Sequence, residues 1–329
     1  MKYRIQLFLL VAFCVSVLGR RACAQVSYLN IKNYKVYHGV ATRQSNDWVV
    51  LRRFKNDSKA YILLADPQTL ETKVDEAANY QIRLLKPEEV WSYFKGSPYQ
   101  KALKKADEQS ISLQNAGITR GASNENGINL TVDLCPAHKP LDRRVFTEIT
   151  ERLNNPVPVL VSVSGIWMRQ HPDDLEWLKQ LQQENKLNIT WANHSFNHKV
   201  NLLPLKENFL LQRGTDLNFE ILETEQAMLK NGLVPSLFFR FPGLVSDQQL
   251  VYRIVSYGLM PLGADAWLAK GKQPHDGSIV LVHGNGNEPG GVNRLIRLLQ
   301  SKSAQIESKE WLLYDLRESL VKEFGNTNK

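Results

Sequence analysis

The sequence predicts a parallel α/β sheet or barrel over its C-terminal two-thirds, preceded by a small α+β module. Two observations carry this. From Gly127 onward, apolar strand-like runs alternate with amphipathic helical stretches over about 190 residues, as strands joined by helical crossovers do. From about Val26 to Ser110 the pattern is mixed, with strand-like pieces first and two helical stretches after them. The chain has 329 residues, 43% hydrophobic and 22% charged, enough for one large or two modest domains. That composition excludes a disordered chain, a collagen-like repeat and a disulfide-stapled miniprotein.

In chain order, the basic lead Met1-Lys-Tyr-Arg4 precedes an apolar run from Ile5 to Leu18, then Arg20-Arg21 and the small-x-small site Ala22-Cys23-Ala24. This is the order of a secretory signal peptide over 1–24, and the run is short for a transmembrane helix. The expectation is a bacterial exported chain, periplasmic or secreted, with no stable membrane insertion after cleavage. The net charge of +8 then falls to +4, because Lys2, Arg4, Arg20 and Arg21 leave and no acid does. Cys14 and Cys23 leave too, so Cys135 stays as a single thiol with no disulfide partner.

The N-terminal module (25–114) has strand-like Trp48–Arg52 and Tyr61–Ala65, then helical Pro87–Phe94 and Pro98–Gln109. Its aromatics Tyr61, Trp91, Tyr93 and Phe94 read as core, and it offers no recognisable chemistry. Asn115–Asn126 reads as a connector. In the second region (115–329) the strand-like runs are Ile128–Asp133, Val157–Val163, Leu187–Ala192, Leu237–Phe241, Leu259–Gly263, Ser278–His283 and a weaker Trp311–Tyr314. Helices are expected at Arg143–Leu153, Pro172–Gln183, Leu217–Lys230, Asp247–Tyr257 and Gly291–Lys302. Trp167, Trp177 and Trp191 read as core, and Asp173 and Asp174 as complements to a helix N-terminus.

Unusual polar residues fall at equivalent places. Asp133 closes the first strand, His194 follows the third, Arg240 lies in the fourth, Asp265 follows the fifth and His283 closes the sixth. In a barrel the C-terminal strand ends converge on one mouth, where active sites form. His194-Ser-Phe-Asn-His198 spaces two histidines i, i+4, which suits two ligands of one metal if the chain turns helical there.

From Asn129 to Leu299 the chain resembles the polysaccharide deacetylases, carbohydrate esterase family four, with the nodulation-type deacetylase homology domain. The motifs run in family order: Thr131-Val-Asp-Leu-Cys-Pro136, Gly165-Ile-Trp-Met-Arg-Gln-His-Pro172, His194-Ser-Phe-Asn-His198, Arg240-Phe-Pro242, Asp265-Ala-Trp267 and Ile279-Val-Leu-Val-His283. The resemblance implies a distorted (β/α)7 barrel and metal-assisted hydrolysis of an N-acetyl or O-acetyl group on an acetylated amino-sugar glycan, such as a cell-wall polymer. It implies Asp133 as general base, His283 as general acid, and His194 and His198 as ligands of a divalent metal, with zinc expected. Arg240 and Asp265 fall on the pair that holds the base. Trp267 and Leu281 fall on the acetyl-pocket walls, and the Gly243 amide on the oxyanion contact.

Two departures matter. Most relatives carry a second Asp as third metal ligand where this chain has Leu134, which coordinates nothing. Cys135 follows, a soft ligand if its thiolate points inward, although a buried inert thiol is the ordinary state of such a residue. Two alternatives stay open. One is a same-fold hydrolase of a cyclic, non-sugar amide, working with or without metal. The other is a non-catalytic glycan binder on a decayed barrel, against which the joint retention of acid and base speaks. The Gly284–Gly291 loop fails the dinucleotide fingerprint, and the lysines of 101–105 read as a solvated face, so no nucleic-acid partner is expected.

Overall fold

The computed structural model describes residues 27–109, 112–122, 124 and 126–325; the leader expected over 1–24 lies outside them. The first sheet holds β1 (Ile31–Arg43), β2 (Asn46–Asn56), β3 (Lys59–Ala65), β4 (Thr72–Glu76) and β5 (Gln81–Leu84), in the order β4-β3-β2-β1-β5. Every pairing in it is antiparallel. Two helices follow, α1 (Pro87–Tyr93) and α2 (Pro98–Glu108). Ser97 caps α2, its Oγ accepting from the Gln100 amide at 3.2 Å, and Pro98 takes the first helical position. Tyr99, Ala102, Leu103 and Ala106 form the buried stripe of α2, as its periodicity requires. Of the aromatics expected in the core, Tyr93 is instead 44% exposed and donates its hydroxyl to Asp47.

The second sheet is parallel throughout, in the order β10-β9-β8-β7-β6-β12-β11, with β13 also on β6. Its strands are β6 (Gly127–Leu134), β7 (Val157–Val163), β8 (Leu187–Asn193), β9 (Phe238–Phe239), β10 (Met260–Pro261), β11 (Ala266–Trp267), β12 (Ser278–His283) and β13 (Leu312–Leu313). Between and after them run α3 (Arg144–Arg152), α4 (Gly165–Gln170), α5 (Pro172–Gln183), α6 (Thr224–Lys230), α7 (Gln248–Ser256), α8 (Pro289–Ser301), α9 (Ser303–Glu307) and α10 (Leu316–Gly325). Seven strands on one curled path with helices outside make the distorted (β/α)7 arrangement.

Strand alternation sorts the core into two layers. Val132, Leu134, Val161, Val163, Val280 and Val282 point outward and pack with the apolar residues of α3, α5 and α8. Leu160, Ile279 and Leu281 point inward, into an apolar cluster that also holds Val40, Leu51 and Leu63 of the first sheet. The module and the barrel therefore share one core. A fully buried ion pair crosses the same junction: Arg52 of β2 grips Glu225 of α6 through Nε at 2.7 Å and Nη2 at 2.8 Å. Among the described residues no helix is long and apolar enough to cross a membrane.

The predicted helix over Leu217–Lys230 is interrupted: Phe219–Glu223 is a π turn that runs into α6. The strands expected at Leu237–Phe241 and Leu259–Gly263 shrink to two paired residues each.

Candidate active site

Asp133 and His283 occupy paired register positions at the C-terminal ends of adjacent strands β6 and β12. They face the same recess. Asp133 is 2% exposed; one carboxylate oxygen lies 3.8 Å from His194 Nε2, the other 3.6 Å from Arg240 Nε. That second oxygen and Arg240 Nε have no hydrogen-bond partner. Arg240 is fully buried and spends its other nitrogens on scaffolding, Nη1 on the Gly263 carbonyl at 3.1 Å and Nη2 on Thr131 Oγ1 at 2.8 Å. Thr131 lies two residues before Asp133 on the same face of β6, so the guanidinium spans the side of the strand that carries the carboxylate.

The segment carrying the two histidines is not a helix. Ser195 and His198 both take left-handed φ values, 64° and 46°, and the loop folds back to bring the imidazoles together at a centroid distance of 4.7 Å. Three devices hold it. The first two amides of α4, Gly165 and Ile166, donate to the carbonyls of Ser195 and Phe196 at 3.1 and 2.9 Å. Asn193 Oδ1 accepts from the Ser195 amide at 2.9 Å. Glu220, buried in the π turn, accepts from the amides of Phe196 and Asn197 and from the Asn197 side chain at 2.7–2.9 Å. A Cβ on Gly165 would meet the Phe196 ring at 2.2 Å, so only glycine fits beneath this loop.

His194 is fixed in tautomer. Its Nδ1 lies 2.9 Å from the Arg240 carbonyl, which only accepts, so Nδ1 carries a hydrogen in either charge state and the neutral ring would coordinate through Nε2. His198 Nε2 is buried with no partner. Cys135 Sγ lies 3.4 Å from His194 Nε2, and the donor atoms of Cys135, His194 and His198 all fall within 4.8 Å of one another. These three atoms fit a single divalent cation in donor type and separation. Leu134 instead packs outward in the helix layer.

Electrostatics follow the burial. Burial alone raises the Cys135 thiol, but His198, His194 and His283 around it pull it well below its ordinary range. Burial likewise lowers His283, and is outweighed by Cys135, by the Glu288 carboxylate and by Asp133, which together raise it well above the usual imidazole value. Glu288 lies 2.8 Å from His283 Nδ1 and accepts from Trp267 Nε1 at 2.9 Å. It therefore fixes the indole, which leans over the His283 ring at 5.6 Å between centroids, and faces that ring as a counter-charge. Leu281 lies two residues before His283 on β12 and opposite Trp267 of β11, so these two line one side of the recess.

One expected residue is placed differently. Asp265 is not joined to Arg240. Register sets Ala266 opposite Val280, so Asp265 sits level with Ile279, four residues short of His283 and about 13 Å down the strand. There it accepts from Ser278 Oγ at 3.0 Å and faces Arg120 at 3.4 Å, and burial raises its carboxyl pKa. Gly243 takes φ 61° and lies under the Phe209 ring, 2.5 Å from where a Cβ would be. Sequence reasoning missed Glu220 and Glu288. Each is a single carboxylate in an ordinary polar context, and only the fold shows what it holds.

Residues 32–101 match the family described as RP012 protein N-terminal domain. Among solved structures the chain is similar to a family 4 carbohydrate esterase from Bacillus anthracis, at 19% identity over 68% of this chain and 91% of that one, with a TM-score of 0.45. It is similar to the peptidoglycan deacetylase PdaC from Bacillus subtilis, at 17% identity over 62% and 93% with a TM-score of 0.43. It is similar also to a CE4 family pseudoenzyme from Bacillus anthracis, at 17% identity over 64% and 70% with a TM-score of 0.42. The solved structures to which this chain is similar thus include a family 4 carbohydrate esterase, a peptidoglycan deacetylase and a CE4 family pseudoenzyme.

Proposed function

We propose that the chain is a hydrolase of deacetylase type that removes an acetyl group from an amino-sugar glycan. The observation that carries this reading is the pairing of Asp133 and His283 across one recess, beside three metal-donor atoms. A carboxylate and a protonated imidazole facing one reacting centre are what amide hydrolysis needs: one takes a proton from water, the other gives one to the departing nitrogen. Asp133 is held for the first task by Arg240, whose Nη groups tie it to β6 and to the Gly263 carbonyl. His283 is readied for the second by the negative groups around it, Cys135 first and then Glu288 and Asp133, which favour the charged ring. Trp267 and Leu281 bound a small apolar space beside it, of the kind an acetyl methyl fills. A divalent cation held by His194, His198 and a third donor would polarise the water and the carbonyl.

The glycan substrate and the N-acetyl linkage are the ones the motif order implies, and the leader of residues 1–24 points to export. Acetate release from N-acetylglucosamine oligomers and from peptidoglycan, with Asp133→Asn as control, tests the activity. No release from either, with and without added zinc, would overturn it. N-terminal sequencing of the protein from the host envelope tests export, with Gln25 as the expected first residue.

A further inference from the structure

We propose that Cys135 is the third ligand of the metal site, making it a thiolate-bis-imidazole centre in place of a carboxylate-bis-imidazole one. The inference rests on the hydrolase reading only for its chemistry; the donor geometry stands apart from it.

Strand alternation turns Leu134 away from the recess, and the end of β6 leaves the next residue free to turn in. Leu134 turns outward into the helix layer, and the next residue, Cys135, comes back beside the histidines. Asn285 Nδ2 donates to the Cys135 carbonyl at 3.1 Å and fixes that backbone. Sγ is then 3.4 Å from His194 Nε2, a separation that two donors of one ion adopt. His194 Nε2 is freed for coordination because Nδ1 is committed to the Arg240 carbonyl, an outer contact of the sort that fixes metal-binding imidazoles. His198 Nε2, buried and unpartnered, has no other visible purpose. Asp133 is the competing third donor. It lies farther off, 3.8 Å from His194 Nε2, with its second oxygen turned to Arg240. The loss of an acidic ligand at position 134 is thus compensated one residue later by a softer one.

A thiolate selects differently from a carboxylate. With one sulfur and two imidazoles the site favours zinc and cobalt over manganese and magnesium, which prefer oxygen.

Cobalt titration of the chelator-stripped full chain tests this. Wild type is expected to give an intense near-ultraviolet thiolate-to-cobalt charge-transfer band together with weaker visible bands. Cys135→Asp should keep the visible bands, lose the charge-transfer band and narrow the zinc-over-manganese preference. Cys135→Ala should weaken zinc binding by more than roughly 100-fold, since loss of a direct ligand exceeds the 10–100-fold that outer contacts cost. Thermal unfolding of each metal-free variant within a few degrees of wild type establishes that the fold is intact. A wild-type cobalt complex without the charge-transfer band, or Cys135→Ala binding zinc as wild type does, overturns the proposal. The readout needs no substrate. A wild type that shows the band yet deacetylates nothing retains the thiolate site and loses the hydrolase reading. Acetate release without the band does the reverse.

Discussion

Glu225→Gln should be among the most destabilising single changes in this protein, although Glu225 lies outside the active site. Glu225 and Arg52 are fully buried and joined by two charge-assisted bonds of 2.7 and 2.8 Å. Arg52 Nη1 adds bonds to the carbonyls of Leu51 and Tyr257, at 2.8 and 2.6 Å, and Tyr34 donates its hydroxyl to Glu225 at 2.9 Å. The amide variant keeps the shape and leaves the guanidinium buried without a counter-charge. Breaking such a pair on one side costs about 3–5 kcal/mol, because the remaining ion keeps its desolvation penalty and loses its attraction. At roughly 2–3 °C per kcal/mol for a chain of this size, Tm should fall by about 6–15 °C. Urea unfolding read by tryptophan fluorescence and by far-ultraviolet circular dichroism gives the free energy directly. The double variant Arg52→Met with Glu225→Met removes both charges and should lose less than the two single losses combined. A loss below about 1 kcal/mol for Glu225→Gln, as an exposed pair would give, refutes the reasoning. So does a resolved second transition, since the pair and the shared apolar cluster bind the module and the barrel into one cooperative unit.

At the site, Asp133→Asn and His283→Gln should each lower kcat for acetate release by about 10²–10⁴-fold, with wild-type zinc content by elemental analysis. Asp265→Asn should leave kcat within a few-fold of wild type, because its partners are Ser278 and Arg120; a loss matching that of Asp133→Asn would place Asp265 back in the machinery. The same variant has a signed pH dependence. Burial raises the Asp265 carboxyl, so the native state favours its proton, and the stability tied to that group is lost as pH rises through the raised value. The asparagine variant should therefore gain in Tm relative to wild type at pH 7 and lose that gain as pH falls toward about 4. Glu220→Ala removes three hydrogen bonds from the histidine loop and should release the metal at lower chelator concentration, while changing the Asp133 side of the recess little.

The parts of the fold legible in the sequence are those governed by local pattern. Val157–Val163, Ser278–His283 and Pro172–Gln183 fall on β7, β12 and α5 residue for residue, because each is a buried strand or an amphipathic helix opened by Pro172 and two acids. The longest strand, β1, was missed. Register shifts between Lys32 and Lys35 and between Val36 and Gly39 break its period of two, so no clean alternation is written in it. Strands β9 to β11 are two residues long and exist through pairing with neighbours, which no window of sequence contains. The site divides the same way. Asp133, His194, Arg240 and His283 were readable from their motifs. The displacement of Asp265 was not, since it depends on the register of β11 against β12. Cys135 was visible as a letter, but which way its side chain turned depended on where β6 stops alternating.

The π turn at Phe219–Glu223 has a consequence for how this site can be gained or lost. A π turn is an α-helix carrying one residue too many, and here that surplus aims Glu220 at the backbone of the histidine loop. Deleting a single residue within the turn would restore α-helical phase and swing everything before the cut by about 100° around the helix axis. Glu220 would leave the loop while every other residue kept its identity. The proposed metal site is therefore exposed to a change in chain length that no residue-by-residue substitution scan would reveal.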